Sequence, residues 1–156
     1  MTIKEIHVYD MDGCIVDSLH RYRTMPCGTR IDLRYWLDNE HKAMQDTLLP
    51  LAKQFQEQLK NPEIYVIIAT ARVLNAPDWE FIETVLGKPN KVISRAGRND
   101  WRSGTDLKAP PLKSLFSLKQ FKKAKKWFYE DNKTYLKGVC AVTGMTPVYI
   151  PSNQGH

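Results

Sequence analysis

The chain has 156 residues, which suffice for one ordinary domain but not for two full ones. Its hydrophobic content of 42% is enough to form one core. A charged fraction of 26% is typical neither of a disordered protein nor of a membrane-embedded one. No apolar run approaches the roughly 18 residues of a membrane helix. The net charge of +6 favours phosphorylated ligands, although charge alone more often reflects a solvated basic surface.

The first residues run directly into a strand-like segment without the pattern of a signal peptide, so we expect a cytoplasmic protein. The cysteines are odd in number and lack a CxxC spacing; they are Cys14, Cys27 and Cys140. This pattern predicts reduced thiols, with neither a disulfide framework nor a structural zinc site.

Strand-like and helical patterns alternate along the chain. Residues 3–9, 64–69, 92–94, 127–129 and 148–150 have the composition of strands, and apolar residues recur at helical spacing between them. Pro77 and Pro111 are placed for the first turns of two of these helices. The alternation predicts an α/β fold, a Rossmann-like doubly wound parallel sheet of about five strands, with ligands at the carboxyl ends of the strands.

The first two strong strands are separated by about 55 residues, whereas a strand–helix–strand unit needs only about 30 in all. We therefore expect one domain over residues 1–156, with a small helical insert at 18–47 that acts as a lid. The insert is rich in basic and aromatic side chains, which are His20, Arg21, Arg23, Arg30, Arg34, Tyr35 and Trp36.

Asp10-Met11-Asp12-Gly13 closes the first predicted strand. Two carboxylates two residues apart can project into one cleft if the chain turns after Asp10, and Gly13 allows that turn. One carboxylate is then a candidate nucleophile and the other a candidate acid/base, provided that a divalent cation offsets their repulsion from phosphate. The alternative is an Asx turn of purely structural importance.

Two further strand ends carry polar groups. Thr70 and Arg72 follow the apolar strand at 64–69 and suit phosphate oxygens, although a helix cap and a surface arginine are the favoured explanation for this pair in isolation. Glu130 and Asp131 close the aromatic strand at 127–129 and offer the oxygen ligands that Mg²⁺ takes, or form a solvated strand end. Because one sheet edge would gather all three groups, we expect a phosphoryl-transfer site, completed by a lysine, Lys108 or Lys113.

The ordered set Asp10-x-Asp12-Gly13, Thr70, lysine and Glu130-Asp131 resembles the haloacid dehalogenase (HAD) superfamily of aspartate-nucleophile phosphotransferases. Within it, the sequence is most similar to the 3′-phosphatase domains of phage and bacterial polynucleotide kinases. The features that carry this likeness are His20-Arg21, Thr70-Ala71-Arg72 and the eight-residue step from Asp100 to Lys108, which favours Lys108 over Lys113. Four residues depart from the pattern: Cys14 for Thr, Ala71 for Gly, Glu130 for Asp, and Asp106 two residues before the lysine.

The resemblance implies a two-step phosphatase. Asp10 would attack phosphorus and Asp12 would protonate the leaving oxygen and then activate water, while Thr70 and Lys108 bind the phosphoryl group. Mg²⁺ would be held by Asp10, Asp12 through its carbonyl, and Asp131 or Glu130. No GxxxxGK[ST] motif is present, so the sequence gives no support for a fused kinase activity.

The expected substrate is a nucleic-acid 3′-phosphate end or a nucleotide, bound by Gly13, His20, Arg21, Arg72, Arg98 and Arg102. Trp101 between two of these arginines suits contact with a nucleic acid. A phosphatase of a small phosphorylated metabolite and a non-catalytic binding protein with the same fold are the alternatives. The short chain and small insert also resemble phage-encoded enzymes, which would place the protein in a host cytoplasm.

Overall fold

A computed structural model describes residues 2–21 and 32–152 of the chain. Its main sheet has five parallel strands in the order β5-β4-β1-β6-β7. These strands are β1 (Glu5–Tyr9), β4 (Ile64–Val73), β5 (Lys91–Arg95), β6 (Lys125–Glu130) and β7 (Thr146–Tyr149). The predicted five-stranded α/β sheet is confirmed, and β4 extends four residues beyond the predicted strand.

Helices cover both faces of the sheet, because the central strand alternates its apolar side chains between two cores. Ile6 and Val8 of β1 face the core shared with α4 (Gly104–Phe116) and α5 (Lys133–Thr143). Tyr9 faces the core shared with α2 (Ala52–Leu59), α3 (Ala76–Phe81) and the π-helical turn at Ile82–Leu86 that follows α3. Two packed layers of helix on one parallel sheet define the doubly wound arrangement.

The insert after β1 is helical, as predicted, and it also contains strands that the sequence did not reveal. β2 (Val16–Asp17) and β3 (Thr47–Leu48) pair antiparallel and form a two-stranded ribbon where the insert leaves and rejoins the domain. Between them lie α1 (Leu33–Asp38) and 3₁₀ turns at Leu19–Arg21 and Glu40–Gln45. Arg23 and Arg30, which the sequence assigns to the insert, fall outside the described residues.

The prediction that Pro111 lies in the first turn of its helix is wrong. α4 begins at Gly104, about two turns before Pro111, because the Ser103 hydroxyl caps it by accepting a hydrogen bond from the Asp106 backbone N–H at 3.1 Å. Pro110 and Pro111 lie inside this helix. The earlier start places Lys108 on a helix instead of a loop, which fixes the direction of its side chain.

Gly104 is required at this start by close packing. A Cβ atom there would lie 2.6 Å from the Tyr135 ring of α5, closer than side chains pack. The glycine therefore lets α4 and α5 approach each other next to the site.

None of the helices in the described ranges is both long and apolar enough to span a membrane. Cys14 and Cys140 are free thiols, and Cys27 lies outside the described residues.

Candidate active site

The carboxyl edge of the sheet gathers polar side chains that are far apart in the sequence. Asp10 follows β1, Thr70 lies near the end of β4, and Glu130 is the last residue of β6. All three are at least 94% buried, as is Lys108 from α4. Strands β1, β4 and β6 are neighbours in the sheet, so their ends meet as the sequence predicted.

Lys108 links the nucleophile candidate to the acidic pair. Its Nζ donates to Asp10 Oδ1 at 3.1 Å and to Glu130 Oε1 at 2.8 Å. Lys113, the other candidate, lies on the exposed side of α4. The structure thus brings Lys108 to the site and leaves Lys113 away from it.

Burial and charge change the protonation equilibria of this group. Burial, with the nearby charge of Glu130, raises the pKa of Asp10 to about 7 even though Lys108 opposes the shift. Burial tends to lower the pKa of Lys108, but the two carboxylates outweigh this and hold it above its usual range. The lysine is therefore charged, and the site has an excess of negative charge.

The acidic cluster fits a divalent cation. Carboxylate oxygens of Asp10, Glu130 and Asp131 lie within 4.8 Å of one another. Asp131 Oδ2 accepts from Ser152 Oγ at 2.7 Å, whereas Oδ1 is buried and has no hydrogen-bond partner in the described part of the chain. Burial and the charge of Asp10 raise the pKa of Asp131 to about 6. A buried, unsatisfied carboxylate oxygen beside two other carboxylates is the donor set that Mg²⁺ prefers.

Glu130 and Asp131 are adjacent in sequence but differ in their surroundings. Glu130 Oε1 accepts from Lys108, and Oε2 accepts from the backbone N–H of Asp131 at 3.0 Å and more distantly from that of Asn132 at 3.4 Å. Both oxygens of Glu130 are therefore engaged by the protein. Asp131 alone of the two presents an open oxygen to the cluster.

The Asp12 carboxylate is held by a bidentate pair of hydrogen bonds from Arg72, called the arginine fork below. Arg72 Nε donates to Asp12 Oδ2 at 2.8 Å, and its Nη2 donates to Oδ1. Ser18 Oγ also donates to Oδ1, at 2.6 Å. This bidentate pairing fixes the orientation of the Asp12 carboxylate.

Arg72 belongs to a larger buried cluster of charges. Its Nη1 donates to Asp78 at 2.6 Å, and its Nη2 donates to Asp46 at 3.1 Å. Arg21 donates to the same Asp46 through Nε at 2.8 Å and Nη2 at 2.9 Å, and stacks over Trp36 at 4.3 Å. The cluster joins the insert to the strand end that carries Arg72.

His20 is half-exposed beside this cluster, with Nε2 at 2.7 Å from Asp46 Oδ1. The sequence assigned His20, Arg21 and Arg72 to substrate binding. In this structure all three contact Asp46, so their described partners are carboxylates of the protein.

Thr70 and Gly13 complete the edge. Thr70 Oγ1 accepts from the Arg72 backbone N–H at 3.1 Å, where the pairing of β4 with β5 becomes irregular. Gly13 has a φ of 77°, a left-handed conformation that glycine adopts without strain, and it turns the chain directly after Asp12.

Arg98 and Arg102 lie on the loop between β5 and α4. Arg98 donates to Glu40 of the insert at 3.0 Å, and Arg102 forms two bonds with Asp100 at 2.8 and 2.6 Å. Both guanidinium groups are largely exposed, and Trp101 between them is 81% exposed. The carboxylates that pair with these arginines, Glu40 and Asp100, are not members of the buried acidic cluster at Asp10.

The sequence alone did not indicate a role for Ser18, Asp46, Asp78 or Ser152. Asp46 is an isolated acid without a local motif, and its contacts with arginine arise only through the tertiary fold. Two signals were available: Asp78 stands at the third position of a helix after Asn75, and Ser152 follows the last strand.

A family model described as the bacteriophage T5 5′-deoxynucleotidase matches residues 1–99. The chain belongs to this family. The 5′-deoxynucleotidase of Escherichia phage T5 is 31% identical over 86 residues, covering 51% of this chain and 34% of that protein. The chain thus spans about a third of the length of this phage relative. The family match contains Asp10, Asp12, Thr70 and Arg72 and ends before Lys108 and the acidic pair.

Solved structures with the same fold cover nearly the whole chain. A chain of the Pnkp1/Rnl/Hen1 RNA repair complex has a TM-score of 0.66 at 20% identity, over 97% of this chain and 43% of that one. The HAD domain of the effector protein Lem4 from Legionella pneumophila has a TM-score of 0.60 at 14% identity, over 97% of this chain and 88% of that domain. These likenesses show that the T5 5′-deoxynucleotidase family member described here has the HAD fold.

Proposed function

We propose that this chain is a Mg²⁺-dependent phosphatase that removes the phosphoryl group of a deoxynucleoside 5′-monophosphate by way of an aspartyl phosphate at Asp10. The observation that carries the proposal is the convergence of Lys108, Asp131 and the arginine-held Asp12 around Asp10. Membership of the T5 5′-deoxynucleotidase family supports the choice of substrate.

In the first step a carboxylate oxygen of Asp10 forms a bond to phosphorus, and the bond from phosphorus to the sugar oxygen breaks. Asp12, protonated before this step, gives its proton to that leaving oxygen, so the departing group is a neutral alcohol and the Arg72 fork stabilises the Asp12 carboxylate that remains. Lys108 and the Thr70 hydroxyl stabilise charge on the transferring phosphoryl oxygens.

In the second step Asp12 takes a proton from a water molecule, which attacks the phosphorus of the aspartyl phosphate. The bond from phosphorus to Asp10 breaks, and Asp10 regains its carboxylate. Mg²⁺, when bound by Asp10 and Asp131 with the Asp12 carbonyl, supplies positive charge that offsets the repulsion between phosphate and carboxylates. Glu130 holds Lys108 and the 130–132 turn in place.

The surroundings of the site support a mononucleotide over the end of a nucleic acid. Arg98 and Arg102, the exposed cations expected to contact further phosphates, are each paired with a carboxylate, Glu40 and Asp100 respectively. Pairing lowers the net positive charge that a polynucleotide backbone would meet.

A phosphate-release assay tests this function. We expect Mg²⁺-dependent release from deoxynucleoside 5′-monophosphates with a kcat/KM at least about tenfold above that for a 3′-phosphorylated oligonucleotide. The reverse preference would restore the 3′-phosphatase assignment. Equal turnover of sugar phosphates would indicate a metabolite phosphatase, and no turnover would indicate a binding protein.

Arg72→Lys tests the arginine fork. A lysine keeps the charge but cannot bridge Asp12, Asp78 and Asp46 at once, so we expect kcat to fall by about 10- to 100-fold with a much smaller change in KM. Arg34→Lys, the same substitution at an exposed position of α1, is the matched control. An unchanged kcat in Arg72→Lys would show that the orientation of Asp12 does not depend on the fork.

Substitution of Glu130 and of Asp131 shows which of the two acids binds Mg²⁺ directly. We expect Asp131→Asn to weaken Mg²⁺ binding by more than about tenfold, the lower end of the cost of losing an outer-shell partner, because a neutral amide replaces a charged ligand. Glu130→Gln should weaken it less. Glu130→Gln should lower the melting temperature more, because its amide would face Lys108 or the backbone N–H groups with a donor. Calorimetric titration of Mg²⁺ and thermal unfolding of both variants check this, and the opposite order of affinities would make Glu130 the ligand.

The raised pKa of Asp10 predicts how the stability of the metal-free protein depends on pH. Asp10 has a pKa of about 7 in the folded chain against 3.8 as its ordinary value, so between these values the folded state holds a proton that the unfolded state has lost. This contribution is fully present at low pH and is lost as the pH rises through 7. In EDTA, the melting temperature of Asp10→Asn relative to wild type should therefore increase from pH 5 to pH 8. A difference that stays constant with pH would contradict the shift.

A further inference from the structure

An open groove of about 920 Å³ borders the candidate active site. It lies between the β2–β3 ribbon, the beginning of α2 and the segment that follows β7. Two of its lining residues join it to the site. Gly13 directly follows Asp12, and Ser152 donates a hydrogen bond to Asp131. A ligand held at Asp10 that extends past Gly13 and Ser152 enters this groove.

The walls of the groove are mostly apolar and its polar groups are few. Leucines, prolines and an isoleucine form the walls: Leu19, Leu49, Pro50, Leu51, Ile150 and Pro151. The polar side chains of the lining are Asp17, Lys53, Gln54, Glu57 and Ser152. Apolar walls with a few hydrogen-bonding groups are typical of small-molecule sites, which measure about 300–1,000 Å³.

The charge of the lining argues against a polyanion. Asp17 and Glu57 contribute two carboxylates, whereas Lys53 contributes the single ammonium among the lining residues that the structure describes. A chain of further phosphates would meet net negative charge here, but an uncharged sugar and base would not. Asp17 and Glu57 can accept hydrogen bonds from sugar hydroxyl and base amino groups. Gln54, whose Nε2 donates to the Tyr9 hydroxyl at 2.9 Å, can accept a further bond through its carbonyl oxygen.

The side of the site next to Asp12 is closed by the protein itself. Arg21, Arg72, Asp46 and Asp78 are all at least 95% buried and bonded to one another beside Asp12. A nucleoside placed there would have to displace a hydrogen-bonded charge cluster, which is costly. The groove requires no such displacement.

We infer that this groove is the nucleoside subsite, in which the deoxyribose and base of the substrate lie while the phosphoryl group occupies the site at Asp10. The inference rests on the proposed function and goes beyond it by assigning the residues that recognise the leaving group. Leu19, 41% exposed on the 3₁₀ turn after β2, forms part of one wall, and Lys53 forms part of the wall on α2.

Binding to the Asp10→Asn protein tests the inference without requiring turnover. Leu19→Trp and Lys53→Trp, each added to Asp10→Asn, fill the groove from two different walls. We expect both to weaken the calorimetric affinity for deoxynucleoside monophosphates at least tenfold, while the affinity for inorganic phosphate changes less than twofold. Leu118→Trp is the matched control, since Leu118 is 43% exposed and does not line the groove.

The outcomes separate this inference from the proposed function. Unchanged nucleotide affinity in folded Leu19→Trp and Lys53→Trp proteins, or equal losses for nucleotide and inorganic phosphate, would overturn the subsite, whatever the wild-type protein hydrolyses. Failure of the wild-type protein to release phosphate from any deoxynucleotide would overturn the function. Groove-dependent nucleotide binding in that case would still support the subsite. Thermal unfolding confirms that each variant is folded before its affinity is measured.

Discussion

Asp10→Asn is expected to lose at least about three orders of magnitude in kcat, because a neutral amide cannot form the bond to phosphorus. The amide has the same shape as the carboxyl group and can still accept the hydrogen bond that Lys108 donates to Oδ1. Removal of one negative charge from a cluster of three also relieves repulsion. The variant should therefore unfold at the wild-type temperature or above in the absence of metal.

Asp38→Asn provides the matched control for this experiment. Asp38 is exposed at the end of α1, away from the acidic cluster, and the same substitution there should leave kcat unchanged. Phosphate release and thermal unfolding are measured for both variants. Residual activity of Asp10→Asn within tenfold of wild type would eliminate Asp10 as the nucleophile.

Lys108→Met is expected to lower kcat/KM by at least about two to three orders of magnitude, the range measured when one preorganised charge-stabilising group is removed from an active site. The methionine keeps most of the length and the apolar stem of the lysine but removes its ammonium. Asp10 and Glu130 are then left facing each other without a cation, so the pKa of Asp10 rises further. The surviving activity should shift to higher pH and require more Mg²⁺.

The helix that carries Lys108 also provides its control. Lys113 lies five residues further along α4 with its side chain exposed, and Lys113→Met should retain wild-type kcat/KM. The measurement is a pH profile of phosphate release for both variants at several Mg²⁺ concentrations. Equal profiles for Lys108→Met and wild type would remove Lys108 from the phosphoryl site.

The sheet could be predicted from the sequence because its strands have a strong local signal. The apolar run at 64–69 is buried on both faces from residue 66 onward, and the segments at 92–94 and 127–129 lie inside the observed β5 and β6. A parallel sheet brings the carboxyl ends of its strands together, so Asp10, Thr70 and Glu130 could be assigned to one edge without coordinates.

The charge cluster around Asp46 could not be predicted in this way. Arg72 and Arg21 were assigned to phosphate because a free arginine suits an oxyanion, and nothing in the sequence indicates that Asp46 and Asp78 lie within reach. These contacts span up to 57 residues of chain and depend on how the insert folds onto α3. Sequence spacing predicts contacts along a helix or strand, but not between separately folding segments.

The sequence also could not show that the adjacent acids Glu130 and Asp131 have different environments. Glu130 ends β6 and points toward Lys108, whereas Asp131 begins the following turn and leaves Oδ1 unsatisfied. Either acid suits Mg²⁺ chemically, so residue type alone leaves the ligand open. The start of α4 was predicted too late because two prolines suggested a first turn at Pro111. The hydrogen bond to the Ser103 hydroxyl instead starts the helix at Gly104.

In the proposed mechanism, Asp10 carries the phosphoryl group during turnover. The most direct measurement mixes the wild-type protein with a ³²P-labelled deoxynucleoside monophosphate and Mg²⁺, stops the first turnover with acid, and locates the label by peptide mapping. The account predicts label on the peptide that contains Asp10, formed and lost at rates consistent with turnover, and no labelled protein for Asp10→Asn. If phosphate is released in the first turnover while no label becomes attached to the protein, or if the label is found on a residue other than Asp10, Asp10 is not the nucleophile.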